Sequence, residues 1–417
     1  MTRATTTQPV LSSHDHASLL DRWARRLVFK MLGRVRSGRI ILSEGERCHT
    51  FGAAGGRSVH ITVHEPSVYR RVLFGGSIGA GEAYVDHHWE VDDLTGLVRI
   101  MTLNMGLVDR MEQGLAWLQR PAMLLAHLLS ANSRRQARDN ILAHYDLGNR
   151  MYQSFLDPTM MYSAAIYPHQ EAGLPEAALH KLDLVCRKLD LRPGDRLMEI
   201  GSGWGGLAIH AARHYGCQVT TTTISDAQYR EAEQRIRSQG LSERITLLRQ
   251  DYRELSGRFD KVVSIEMIEA VGHRYLPLFF KKCQELLKPD GILLLQAITI
   301  QDQKYSQYLR SVDFIQRHIF PGGCLLSNQK MQQLLAEETE LVVRRLDDFG
   351  FDYARTLRDW RRRFEAGFPA LREQGYDESF RRLWEFYLCY CEGGFWERAI
   401  SVVQLVATGP ANRTVIP

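Results

Sequence analysis

The segment RLMEIGSGWGGLAIH, residues 196–210, decides the fold. Its first part has the composition of a buried strand. Glycines at 201, 203, 205 and 206 then turn the chain into the helical pattern of WGGLAIHAARHYG, residues 204–216. A strand that passes through a glycine turn into a helix opens a parallel sheet with crossover helices. The pattern continues outward. QVTTTTIS (218–225), RITLLRQDY (244–252), FDKVVSIEMIEAVG (259–272) and GILLLQAITI (291–300) are strand-like. DAQYREAEQRIRSQG (226–240) and LPLFFKKCQELLKP (276–289) are helical, the second expected to end at Pro289 and Gly291. From Leu182 onward an α/β fold with a parallel sheet is expected.

The loop itself constrains the ligand. Glu199 stands two places before the first glycine, and the spacing is G-x-G-x-G-G instead of the dinucleotide G-x-G-x-x-G. Twenty residues past Gly201, where an acid would hold the ribose of a dinucleotide, the chain has Thr221. No basic residue follows the loop in the manner of a phosphate-gripping P-loop. Gln250, Asp251 and Tyr252 end the third strand, where they can meet an adenine ring. S-adenosylmethionine (SAM), which carries no phosphate, fits this loop; the bland alternative is a turn with incidental glycines.

With 417 residues, 44% of them hydrophobic and 24% charged, the chain is too long for one ordinary domain and too apolar for disorder. No apolar run reaches the roughly 18 residues of a membrane span; the stretch 114–131 is broken by Gln119, Arg120 and Pro121. The opening MTRATTTQPVLSSHDH lacks the apolar core of a signal peptide. Seven cysteines at irregular spacing argue for a reducing cytosol. A soluble cytoplasmic protein is expected. No metal ligand is assigned.

The charge is unevenly placed. Of 53 basic and 48 acidic residues, 18 and 13 fall in the first 139, so the whole excess of five lies there. Seven Arg or Lys lie between Arg22 and Arg39, among Leu19, Leu20, Trp23, Leu27, Phe29, Met31 and Leu32. Such a basic helix suits an anionic membrane surface, and equally a plain domain helix with a solvated face. No recognised nucleic-acid motif accompanies it, so nucleic acid is the least favoured partner. Residues 40–130 form a mixed module, with SVHITVH (58–64) a strand. The glycines at 75, 76, 79 and 81 in FGGSIGAGEAYVDHHWEVDDL (74–94) are expected in tight turns, the alternative being a close approach of the backbone to a ligand. SANSRRQARDN (130–140) serves as a linker between a domain at 1–139 and a second at 140–417.

Several motifs together resemble a known family. HYDLGN (144–149), Leu156-Asp157 and MMYS (160–163) are followed in order by MEIGSGWGGLA (198–208), TTISDAQ (222–228) and LLRQDYREL (247–255). EMIEAVGHRYL (266–276), IFPGGCL (319–325) and DFGFDYARTLRDW (348–360) continue the series. This pattern, from about residue 140 to the end, is similar to the cyclopropane-fatty-acyl-phospholipid synthases and the related mycolic acid methyltransferases. Residues 75–94 resemble the family's N-terminal lipid-associated domain. The resemblance implies a SAM-dependent methyltransferase domain, Rossmann-like with helical insertions, preceded by a smaller α+β domain. It implies methyl transfer to a cis double bond in a phospholipid acyl chain, peripheral association with the cytoplasmic face of the inner membrane, and a possible homodimer. By family pattern SAM would be held by Tyr162, Ser163, Glu199, Gly201, Ser202, Gly203, Trp204, Gly205, Gly206, Thr223, Ile224, Gln228, Asp251 and Tyr252.

The chemistry asks for more. The alkene attacks the sulfonium methyl and leaves a cation on the chain, which needs a dry site with aromatic faces and carboxylates, and then a base. Tyr305, Tyr308, Phe314, Phe320, Tyr353 and Trp360 are candidate aromatics. In the best-known relatives a bound bicarbonate is the base. Carried over by position, its pocket would use Glu269, the amide of Ile298 and Tyr353, while Ala164 stands at the cysteine position and Gln296 at the histidine position. Either bicarbonate binds in an altered pocket and a cyclopropane forms, or the cation collapses to a methyl- or methylene-branched chain. Cys391, in LCYCEGGFWERA (388–399), falls on the family's marked cysteine, with a chemical and a packing role both open. His273 is expected to be a cap or surface residue. A methyltransferase of soluble small molecules and a non-catalytic lipid-binding protein are the rival readings.

Overall fold

The computed structural model describes residues 18–106 and 148–415. These fall into two compact units, one containing residues 18–106 with 377–386 and the other 148–376 with 387–415. The expected boundary at 139/140, the linker 130–140 and the apolar stretch 114–131 lie outside the described residues. Among the described residues, no helix is long and apolar enough to cross a membrane. All seven cysteines are free.

The first unit opens with the helix Leu19–Leu32, started by a capping box. Asp21 N donates to Ser18 Oγ (3.1 Å), and Ser18 N donates back to the Asp21 carboxylate (3.3 Å). The helix buries Ala24, Val28 and Leu32 and leaves Leu19, Leu20 and Trp23 exposed. Strands β1 (Arg39–Glu44), β2 (Arg47–Gly52), β3 (Ser58–Val63) and β4 (Trp89–Val91) form a sheet in the order β2-β1-β3-β4, with β1 and β3 parallel. The expected strand at 58–64 is β3. Glu44, buried at the end of β1, accepts from Arg25 Nε (2.7 Å) and Tyr69 OH (2.5 Å), which offsets its desolvation.

The glycines at 75, 76, 79 and 81 do not make a series of tight turns; all four lie inside one helical span, Ser67–Val85. Of the four, Gly76 alone turns the chain, with φ 55° and ψ −133° at a kink. Gly79 serves close approach, because a Cβ there would lie 2.0 Å from the Arg71 carbonyl oxygen. Turn chemistry and tight helix packing call for the same residue, and single-sequence reading assigned the wrong one.

The second unit holds a seven-stranded sheet. Its strands are β5 (Arg196–Ile200), β6 (Gln218–Thr222), β7 (Ile245–Leu248), β8 (Phe259–Ile265), β9 (Leu287–Ile300), β10 (Val342–Asp348) and β11 (Ile400–Thr408), in the order β10-β11-β9-β8-β5-β6-β7. β5 to β9 are mutually parallel, as expected. β11 pairs antiparallel with both β9 and β10, which the strand–helix alternation of residues 182–300 gave no sign of. The helix before β9 stops at Leu286, so Pro289 and Gly291 open the strand instead of ending the helix.

Alternate residues of each strand feed two cores, one on each face. Met198, Ile200, Val262, Leu293 and Leu295 pack with the helices Leu276–Leu286 and Asn328–Glu338. Leu197, Val219, Val263, Leu294 and Val406 pack with Leu174–Lys188 and Gly206–His214. Both faces are thus buried, and the carboxyl ends of the parallel strands are the free edge for a site.

Gly79→Ala should destabilise the first unit by about 1–3 kcal/mol through overpacking, read as a lower denaturation midpoint. Gly75→Ala, where a Cβ meets nothing within 4 Å, should leave the midpoint close to wild type.

Candidate active site

The glycine loop leaves β5 with its backbone in the left-handed region at Gly201 (φ 98°), Gly203 (φ 49°) and Gly205 (φ 85°), which glycine adopts without the Cβ clash. Gly201 N and Ser202 N donate to Thr222 O (3.2 and 2.8 Å), tying the loop to the end of β6. Gly206 begins the following helix where a Cβ would lie 2.6 Å from Thr159 O. Gly201 and Gly203 keep accessible surface while Ser202 and Trp204 are buried, and a Cβ on Gly203 would meet nothing within 4 Å. The loop therefore presents bare backbone to open space, which fits SAM at this loop.

The other SAM candidates lie along the same edge. Tyr162 and Ser163 precede Ala164. Thr223 and Ile224 follow β6, with Thr223 Oγ1 donating to Gln228 Oε1 (2.9 Å) and Gln228 buried. Asp251 and Tyr252 follow β7. The Asp251 carboxylate accepts from Arg253 N (2.9 Å) and Nε (2.8 Å), and Tyr252 packs edge-on against Phe279. Glu199 is buried on β5, accepts from Thr221 Oγ1 at 2.5 Å, and is pushed up to about 8 by burial. Thr221 is thus its partner inside the sheet. Arg235, which the sequence reading missed, donates to Trp204 O, Thr159 O and Pro158 O (2.9 to 3.0 Å) and clamps the loop from outside. Trp204 Nε1 donates to Asn149 Oδ1 at 3.0 Å.

Beside the loop lies a pair of carboxylates. Glu266 follows β8 directly, and its neighbour Met267 packs against Gly201, where an added Cβ would lie 3.0 Å from Met267 Cγ. Glu266 Oε1 accepts from Ala164 N (2.9 Å) and Gln296 Nε2 (2.7 Å), and Oε2 accepts from Tyr353 OH (2.8 Å). One turn on, Glu269 Oε1 accepts from Ile298 N at 2.6 Å, while its Oε2 is buried without a partner. Burial and the facing Glu266 charge push Glu269 up to about 8, so it is mainly neutral at pH 7. Burial also raises Glu266, against the opposing pull of its three donors and of Lys181.

Gln296 is buried on β9 and its orientation follows from a chain of bonds. Gln404 Nε2 donates to Gln296 Oε1 (2.9 Å), and Lys188 Nζ donates to Gln404 Oε1 (2.5 Å). The ammonium can only donate, so each amide in turn must point its NH2 toward Glu266. Lys181, fully buried, donates to Ser163 Oγ (2.9 Å) and is pulled down to about 8 by burial. Neither lysine, nor Gln404, nor Glu266 was singled out from sequence. The signal for Lys181 was available: it falls on the apolar stripe Leu174, Ala177, Ala178, Leu182 and Val185 of its helix.

The aromatic candidates divide. Tyr353 and Trp360, on the helix Gly350–Arg372, gather with Tyr162 and Phe320: the Tyr162–Trp360 centroids are 5.3 Å apart, Tyr353–Trp360 6.0 Å and Tyr162–Phe320 6.4 Å. Tyr162 OH bonds Tyr387 OH at 2.9 Å. Tyr305 instead meets His273 Nδ1 (3.0 Å), Tyr308 OH accepts from Leu325 N (3.0 Å), and Phe314 packs on His318 and Tyr390. Burial and the Asp313 charge hold the Cys391 thiol well above its ordinary range, which disfavours a thiolate at this position.

Comparison with known proteins places this geometry. The sequence model of the family described as mycolic acid cyclopropane synthetase matches residues 132–405. The chain belongs to this family. It is 36% identical over 383 residues to the tuberculostearic acid methyltransferase of Mycobacterium tuberculosis, covering 89% of this chain and 88% of that one. It is 38% identical over 352 residues to the cyclopropane-fatty-acyl-phospholipid synthase of Escherichia coli, covering 84% and 88%. A mycolic acid cyclopropane synthase solved with SAH and CTAB aligns at a TM-score of 0.61 and 30% identity, over 65% of this chain and 98% of that one. As a member of the cyclopropane synthetase family the protein is a SAM-dependent methyltransferase, with SAM as its co-substrate.

Two outcomes are expected. Cys391→Ser should keep turnover within about twofold of wild type; a large loss would restore a chemical role for the thiol. Glu269→Gln should flatten the fall of stability with pH. A carboxyl whose folded pKa of about 8 exceeds its unfolded value near 4.5 contributes stability that is complete below 4.5 and lost as pH rises toward 8. Thermal midpoints taken from pH 5 to 9 should therefore decline less in the variant than in wild type.

Proposed function

We propose that the protein transfers a methyl group to the cis double bond of an acyl chain in a membrane phospholipid, and that loss of a proton closes a cyclopropane ring. The observation that carries this reading is the pairing of an acidic couple, Glu266 and Glu269, with the aromatic faces of Tyr162, Tyr353 and Trp360 at the edge that holds the glycine loop. SAM supplies an electrophilic methyl group when bound. The aromatic rings offer their negative faces to a cation on the chain and no free nucleophile to trap it. A carboxylate of the couple stabilises that charge and provides a proton acceptor.

Lipid access is supported by the first helix. Leu19, Arg22, Trp23, Arg26 and Lys30 fall within about 100° of one another around its axis at 100° per residue, and Leu19 and Trp23 are 79% and 41% exposed. Two apolar anchors among three cations suit an anionic bilayer surface, with the protein peripheral to it.

A second reading, a fatty-acyl methyltransferase that leaves a methyl or methylene branch, has a specific observation behind it. Ala164 and Gln296 replace the polar and cationic groups that the resemblance assigns to the base pocket, and the tuberculostearic acid methyltransferase aligns over most of both chains. Both products require proton loss: the ring takes it from the added methyl directly, the methylene branch from the same methyl after a 1,2-hydride shift, and the methyl-branched alkene from a chain carbon.

Incubation with SAM and vesicles of cis-monounsaturated phospholipid, followed by proton NMR of the fatty methyl esters, should give strongly upfield ring protons. Retained alkene or exocyclic methylene signals beside a new branch would establish the second reading. In vesicle co-sedimentation, Arg22→Glu with Arg26→Glu should weaken binding to anionic vesicles roughly thirtyfold or more, at about 1 kcal/mol per basic residue lost. Unchanged partitioning would remove this helix from lipid contact.

A further inference from the structure

The donors that the resemblance would offer to bicarbonate are already engaged by the protein. Ala164 N, both amino hydrogens of Gln296 and Tyr353 OH are used, three of these bonds ending on Glu266 and the fourth on Ala164 O (3.4 Å). Ile298 N is held by Glu269. A bicarbonate here would find no free donor in that set and would bring a further negative charge against the Glu266 carboxyl, so the residues present do not fit it.

We infer that Glu266 is itself the proton acceptor for the methylated acyl cation, in the place that bicarbonate would occupy; the inference rests on the reading of the preceding subsection. Geometry carries it. A carboxylate has about four acceptor positions. Glu266 fills two on Oε1 and one on Oε2, which leaves one lone pair on Oε2 for a proton. The residue keeps accessible surface beside Met267 and the glycine loop. Its backbone is left-handed (φ 48°), a conformation disfavoured for a side-chain-bearing residue, and the Glu266 N to Gln296 O bond (2.8 Å) helps hold it there. Strain at a polar residue is a recurrent mark of function.

The neighbours fit the role. Glu269 has one unpartnered oxygen and a single hydrogen bond, whereas Glu266 receives three, so the donors of the pair are gathered on Glu266. Gln296, fixed by Gln404 and Lys188, donates to Glu266 without bringing a proton that would neutralise it. In the step itself, a C–H bond of the cation breaks and its electron pair forms the ring bond or a new double bond. The proton goes to Oε2, and the neutral acid later returns it to water. No oxidant or further reactant is needed.

Glu266→Gly tests this directly, because glycine adopts φ 48° without strain and frees all three donors. Wild type and variant would be assayed in CO2-depleted buffer with and without added 13C-bicarbonate, with SAM affinity, thermal midpoint and 13C NMR binding of bicarbonate measured alongside. Wild-type turnover should be the same within twofold in both buffers, with no bicarbonate bound. The variant should keep its midpoint and SAM affinity, lose at least about a hundredfold in turnover, bind bicarbonate, and regain at least tenfold when it is added. Glu266→Gln, which blocks the donors without accepting a proton, should be slow in both buffers. A wild type that binds bicarbonate or slows on CO2 depletion, or a Glu266→Gly variant that turns over normally without it, overturns the inference. A wild type inactive on every cis-unsaturated lipid overturns the preceding reading instead, and the bicarbonate-binding arm then decides whether the donors belong to Glu266.

Discussion

The bond from Gln296 Nε2 to Glu266 Oε1 is the contact on which the rest of the site depends. An amide is symmetric enough to point either way, and only its partners decide. Here the decision begins at an ammonium group: Lys188 donates a hydrogen bond to Gln404, Gln404 donates one to Gln296, and Gln296 donates one to Glu266. Gln404 lies on β11 and Gln296 on β9, opposite each other in the register of the two antiparallel strands. The antiparallel strand that departs from the expected parallel sheet is therefore what orients the acceptor pocket.

Charge balance follows from the same arrangement. Burying a carboxylate is tolerable only with donors or a counter-charge. Glu199 and Glu269 have one hydrogen bond each and are pushed toward the neutral acid, whereas Glu266 has three. Lys181, buried without a carboxylate at bonding distance, adds a diffuse positive field that several acids share. The hydrogen-bond donors of the site are thus gathered on one carboxylate.

Much of the architecture was legible because periodicity is local. The glycine loop, the strands at 196–200, 218–222, 245–248 and 259–265, and the helices between them are set by short-range patterns that a single sequence displays. What escaped it depends on distant partners. β11 is a buried apolar run whose direction is fixed only by the neighbour it pairs with. The glycines of 75–81 required knowledge of which backbone approaches them.

The site divides along the same line. Glu269, Ile298 and Tyr353 were reached by carrying positions across a resemblance, and the structure brings all three to one edge, with Glu269 and Ile298 directly bonded. Glu266 stood in the same quoted motif, EMIEAVG, and was passed over because the resemblance assigned it no task. Its meaning emerges only when Ala164 and Gln296, which looked like losses when taken singly, are seen to be the two residues bonded to it. An alanine contributes a backbone amide as well as any residue does, and a glutamine contributes a donor without a charge. The departures at 164 and 296 and the carboxylate at 266 are one coordinated arrangement, in which a side chain built into the sheet edge answers the need that a diffusible anion would otherwise meet.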